Sequence, residues 1–133
     1  MSIDTAKLKA AAEKARWGDW SAYKPHSGAR GYEVRVGSEA VAQHCLKEDA
    51  AFIAEASPKA VLCLIAALEA AEKRNAELGA SHEKLRDAMA AIHNTIRMDG
   101  LNAPLAAIMS RAKRAYEESA AVAGINLETG GEA

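Results

Sequence analysis

Ser57-Pro58-Lys59-Ala60-Val61-Leu62-Cys63-Leu64-Ile65 opens a run that continues to Met98 with Gly79 as its only helix-weakening residue. Serine before proline is a helix-opening pair. Its hydroxyl caps the first turn, and proline lacks an N–H that the first turn would leave unpaired anyway. At 1.5 Å per residue such a helix reaches roughly 60 Å, longer than a domain of this size buries. With Val61 at heptad position a, Leu68, Asn75, His82, Met89 and Ile96 follow at a, and Leu64, Ala71, Leu78, Leu85 and Ile92 fall at d. Eight of these eleven positions are large apolar or methionine residues, which is a coiled-coil seam. Asn75 and His82 interrupt it, either as a register-fixing buried amide or as a hydrated stretch beside Gly79. The flanking positions are alanine and isoleucine more than paired Lys and Glu, so more than two helices are expected to meet.

Working outward, Met98-Asp99-Gly100 stops the helix and Asn102-Ala103-Pro104 starts another. Leu105, Ile108, Met109, Ala112 and Tyr116 then recur at spacings of three and four, so this helix folds back over Leu85 to Ile96. Upstream, Glu48 to Ala56 reads as a short helix, and Ser38 to Cys45 as a helix capped by Ser38. Tyr32-Glu33-Val34-Arg35-Val36 alternates apolar and charged residues between two glycines, a half-buried strand that needs a partner such as Trp20 to Tyr23. Thr5 to Arg16 is a lysine- and alanine-rich helix with Asp4 at its N-cap. The expected fold is mainly α. It comprises a small helix/strand/helix module (1–57), a coiled-coil helical hairpin (58–123) and a flexible tail (124–133).

Composition agrees with that architecture. Half of the 133 residues are hydrophobic, but 32 of those 66 are alanine, which leaves 34 large or sulfur-bearing apolar side chains. This supply favours helices packed on each other or on partner chains over a β-sandwich or a large α/β enzyme. The net charge is −1, from 17 basic and 18 acidic residues. No global field draws in nucleic acid, although residues 1–37 carry seven Lys/Arg against four Asp/Glu. Cys45 and Cys63 sit among alanines and leucines and read as reduced core thiols of a cytosolic protein. The N-terminus has no signal-peptide apolar region, and Ala60 to Ala71 is too short to span a bilayer. A cytoplasmic protein with no membrane contact is expected.

The segment Glu48-Asp49-Ala50-Ala51-Phe52-Ile53-Ala54-Glu55-Ala56-Ser57-Pro58-Lys59-Ala60-Val61-Leu62-Cys63-Leu64-Ile65, followed by Leu68-Glu69-Ala70-Ala71-Glu72, resembles the hallmark of the Ead-like accessory proteins of lambdoid and related bacteriophages. Ala12-Glu13-Lys14-Ala15-Arg16-Trp17-Gly18-Asp19-Trp20 is similar to that family's opening, with Trp17-Gly18-Asp19 in place of its proline-containing turn. The likeness covers residues 6–20 and 48–78; no motif of the family stands in 79–133. It implies a phage or prophage product acting on host or lysis–lysogeny physiology, and it supplies no catalytic residues.

Enzyme signatures are missing: there is no Gly-rich phosphate loop, no G-x-S-x-G and no H-E-x-x-H. His44 beside Cys45 is an adjacent base and nucleophile, but neighbours on a helix do not face each other. The four histidines never fall at ligand spacing. No catalytic residue, metal or cofactor is expected, and His82 and His93 are expected to line the seam. Trp17, Trp20 and Tyr23 with Arg30 and Arg35 combine area, rigidity and charge as binding anchors do, although the two tryptophans also suit a small core. The expected oligomer interface is Val61, Leu64, Leu68, Asn75, Leu78, His82, Leu85, Met89, Ile92 and Ile96. The leading function is a non-enzymatic accessory protein that forms a homo-oligomer and binds or inhibits a host bacterial protein, such as a defence complex. The alternatives are a nucleic-acid-associated regulator and a nucleotide-binding sponge.

Overall fold

A computed structural model describes residues 1–125. The element order is α1 (Thr5–Lys14), β1 (Trp20–Tyr23), β2 (Tyr32–Val36), β3 (Glu39–Cys45), α2 (Lys47–Glu55), α3 (Pro58–Asp99), a 3-10 turn (Gly100–Asn102) and α4 (Leu105–Ala123). The chain forms two compact units that divide between Ala70 and Ala71, inside α3.

In the first unit, β2 is the central strand of an antiparallel sheet ordered β1-β2-β3. The hairpin partner proposed for Tyr32–Val36 is present, with Trp20 opposite Val36 and Tyr23 opposite Glu33. β3 corrects the sequence reading, which made Ser38 to Cys45 a helix. Its alanines carry no strand signal, but eight residues offer no apolar stripe for a helix to dock, whereas the free edge of β2 offers a ladder. The available signal was Gly37-Ser38. Gly37 has φ +61° and Val36 pairs with Glu39, the geometry of a two-residue hairpin loop with glycine first. The β2–β3 register shifts on either side of Val34, as a bulge does.

Val34 is fully buried, as is Ala50 of α2, which packs across the sheet. Side chains alternate along a strand, so Trp20, Ala22, Val34 and Val36 share the α2 side. Asp4 caps α1, accepting from the Lys7 N–H at 2.9 Å, and Ala12 is buried. Lys9 reaches Glu69 of α3 at 3.1 Å. Pro58 and Ile65 are buried in the first part of α3, and Ser57 accepts from the Ala60 N–H at 3.4 Å, as a cap should.

Two further readings need correction. Cys45 is half-buried but Cys63 is exposed; successive side chains on a helix point in different directions, so its flanking leucines do not cover it. His44 and Cys45 lie on β3 instead of a helix, where successive side chains point to opposite faces; His44 has φ +59°.

In the second unit α3 and α4 form the expected hairpin, flanking one open groove. Gly124, left-handed at φ +71°, ends α4 and its N–H bonds back to the Ala120 and Ala121 carbonyls. The tail expected over 124–133 lies, from residue 126 onward, outside the described residues.

Candidate functional site

Alternation along β1 and β2 decides the site. Ser21, Tyr23, Glu33 and Arg35 share the sheet face away from Val34, because opposed residues of an antiparallel pair point the same way. On that face the Arg35 guanidinium lies 4.0 Å from the centre of the Tyr23 ring. Its Nε donates to Glu33 Oε2 at 2.8 Å. Tyr23 remains exposed, whereas Arg35 and Glu33 are partly covered. Stacking and the ion pair therefore hold a flat aromatic surface in one orientation, which is how an anchor avoids an entropy cost on binding. Lys24 stands 5.8 Å from the Tyr32 ring, but both are one residue out of phase with Tyr23 and Glu33, so this pair belongs to the other side of the ladder.

The five residues expected to form the binding surface are not all together. Tyr23 and Arg35 are. Trp20 points the other way, half-buried, and its indole N–H donates to the Arg16 carbonyl at 3.0 Å; it contributes to the small core. Trp17 is exposed but precedes the strand, and Arg30 is exposed in the loop between β1 and β2. Glu33 was missed by sequence reasoning, although its i, i+2 spacing from Arg35 in a strand was a sufficient signal.

Three of the seven cations in residues 1–37 are held in ion pairs. Arg35 pairs with Glu33, Lys9 with Glu69 and Arg16 with Glu39. Glu39 and Glu69, which lie outside that stretch, offset part of the excess counted along residues 1–37.

In the second unit the groove has a volume of about 850 Å³. Its rim carries Arg74, Glu77, Lys84, Arg111, Arg114 and Glu118, and its floor is mostly alanine with Leu85 and Val122. Arg74 and Glu77 pair at 3.6 Å. The seam residues divide. Val61, Leu85 and Ile92 are half-buried, whereas Leu64, Leu68, Leu78, Met89 and Ile96 are exposed in the single chain. Asn75, His82 and His93 are exposed as well, so neither histidine lines an intrachain seam. Among the described residues no three His, Cys, Asp or Glu side chains gather as a metal-ligand set, and no single helix is long and apolar enough to cross a membrane.

These features define a class: a mainly helical protein with a small three-stranded sheet module and a long helix turned back as a hairpin. The chain belongs to the Ead/Ea22-like protein family, whose model matches residues 2–124. That match extends through the hairpin, beyond the segments whose motifs are legible by eye, and makes the chain a phage accessory protein by family. No curated protein and no solved structure matches it.

Proposed function

We propose that this protein is a non-enzymatic accessory factor that works in the cytoplasm of the bacterial host. It assembles through its helices and holds a host protein, of the class that includes defence complexes, against the outer face of the N-terminal sheet. The observation that carries this reading is the Tyr23–Arg35–Glu33 cluster. It is rigid, partly exposed and chemically mixed, and aromatic and arginine side chains so held are the usual anchors of protein contacts. Arg35, the cation stacked on the exposed Tyr23 ring, is already paired with Glu33, and a carboxylate on this face favours a protein partner over a phosphate backbone.

The test is capture of partners from host lysate by tagged protein, identified by mass spectrometry, then binding to the purified partner. Tyr23→Ala with Arg35→Ala is expected to weaken that binding more than tenfold, about 1.4 kcal/mol or more, with unchanged circular dichroism and melting temperature. Retained binding by this folded variant would move the contact elsewhere. Salt-sensitive DNA binding that the double variant abolishes would replace the protein partner with nucleic acid.

A further inference from the structure

The hairpin has two unlike faces. The residues that turn inward are Leu85, Ala88 and Ile92 on α3, and Ile108, Ala115 and Ser119 on α4, all half-buried. At 3.6 residues per turn, Ile96, Met89 and His82 lie about 45° to 90° round α3 from the inward line, and Leu105, Met109 and Tyr116 about 60° to 100° round α4. The two helices run antiparallel, so rotations of the same sense bring both stripes to the same side of the hairpin. The charged groove lies on the other side, its rim residues being rotated the opposite way. Within the stripes, Met89, Ile96, Leu105, Met109 and Tyr116 are between 49% and 67% exposed.

We propose that this apolar face is where a second copy of the chain docks, face to face, to make an antiparallel four-helix bundle. The proposal rests on the reading that the protein assembles through its helices and specifies the surface. Three features select a second copy over another occupant. The five large side chains leave on the order of 600 Å² uncovered, near the roughly 800 Å² that each partner gives to a standard stable interface and at the upper end of what monomers expose in one patch. The face is self-complementary, since a two-fold rotation lays an antiparallel pair of apolar stripes on an identical pair. The α4 stripe, continued by Ala112 and Ala123, holds no charged residue, and on α3 the cations Arg86 and Arg97 stand only at the outer edge of the stripe. Two methionines in the face adapt to the facing side chains.

The experiment is sedimentation of the full chain across the micromolar range, with the melting midpoint followed against concentration. The expected mass is about 28 kDa, twice the chain's 14.0 kDa, with a melting midpoint that rises with concentration as association requires. Met109→Lys with Tyr116→Lys is expected to raise the dissociation constant at least about a hundredfold while helicity is kept, because both sites are exposed in the single chain. Arg111→Glu with Arg114→Glu, on the groove side, is expected to leave the mass unchanged. A wild-type monomer throughout that range overturns helical assembly itself. A wild-type dimer that survives the lysine substitutions, or one that dissociates with the groove substitutions instead, overturns this face while leaving assembly standing. Should the double-lysine chain lose helicity, Met109→Gln is the milder change; a dimer unaffected by it in mass and in melting overturns the face equally.

Discussion

The two units solve the shortage of large side chains in different ways. The N-terminal unit closes on itself: Val34, Ala50, Ala12 and Ile65 are buried, and Lys9–Glu69 and Arg16–Glu39 tie residues far apart in sequence. The hairpin buries only Ala120 among its described residues, and its ion pairs, Arg74–Glu77 and Lys113–Glu117, stay within single helices. Exposed pairs of that kind contribute roughly 0–1 kcal/mol each. Alanine is the cause in both places. On α2 it permits close approach to the sheet; on α3 and α4 it supplies helix propensity without area to bury. The N-terminal unit has a small core of its own, although Leu46, Phe52 and Leu64 stay exposed. The hairpin has almost none until its apolar face is covered.

Substitutions that separate the units sharpen this comparison. Val34→Asp has the largest expected effect. It puts an unpaired carboxylate at a fully buried position, and the cost of at least about 3 kcal/mol is expected to melt the sheet. Most of the helical circular dichroism, which comes from α3 and α4, is expected to persist. Simultaneous loss of both signals would show that the hairpin depends on the sheet.

Leu85→Ala comes next. Leu85 is half-buried in the hairpin, so the expected loss is about 1–2 kcal/mol, below the 2–5 kcal/mol of a fully enclosed leucine. Chemical denaturation followed at the helices reads it. A cost above that range would mean that the assembly encloses this side chain further. Asp4→Ala is the smallest, about 0.5–1 kcal/mol for a lost cap, seen as faster amide exchange in α1 with β2 unaffected.

What was legible follows the same division. The long helix, its Ser57-Pro58 start, the Asp4 cap, the Gly100 break and the strand Tyr32–Val36 each carry a local signal, and each is present. β3 carries almost none. Alanine and glutamine at 40, 42 and 43 specify no strand, and only hydrogen bonding to β2, a non-local partner, makes them one. The candidate site was half legible for a related reason. Tyr23 and Arg35 were recognisable by type, but Trp20 differs from Tyr23 only in strand phase, and one residue of phase separates core from surface. The exposure of His82 and His93 depends on where α4 lies, which heptad arithmetic on α3 alone does not supply.

Hydrogen exchange measured above and below the association midpoint tests the contrast between the units most directly. Dilution is expected to leave protection of the β2 amides around Val34 unchanged. Protection between His82 and Ile96 and between Leu105 and Tyr116 is expected to fall about tenfold or more, as the covered face opens. Equal loss in both units, or concentration-independent protection in the hairpin, would contradict the account.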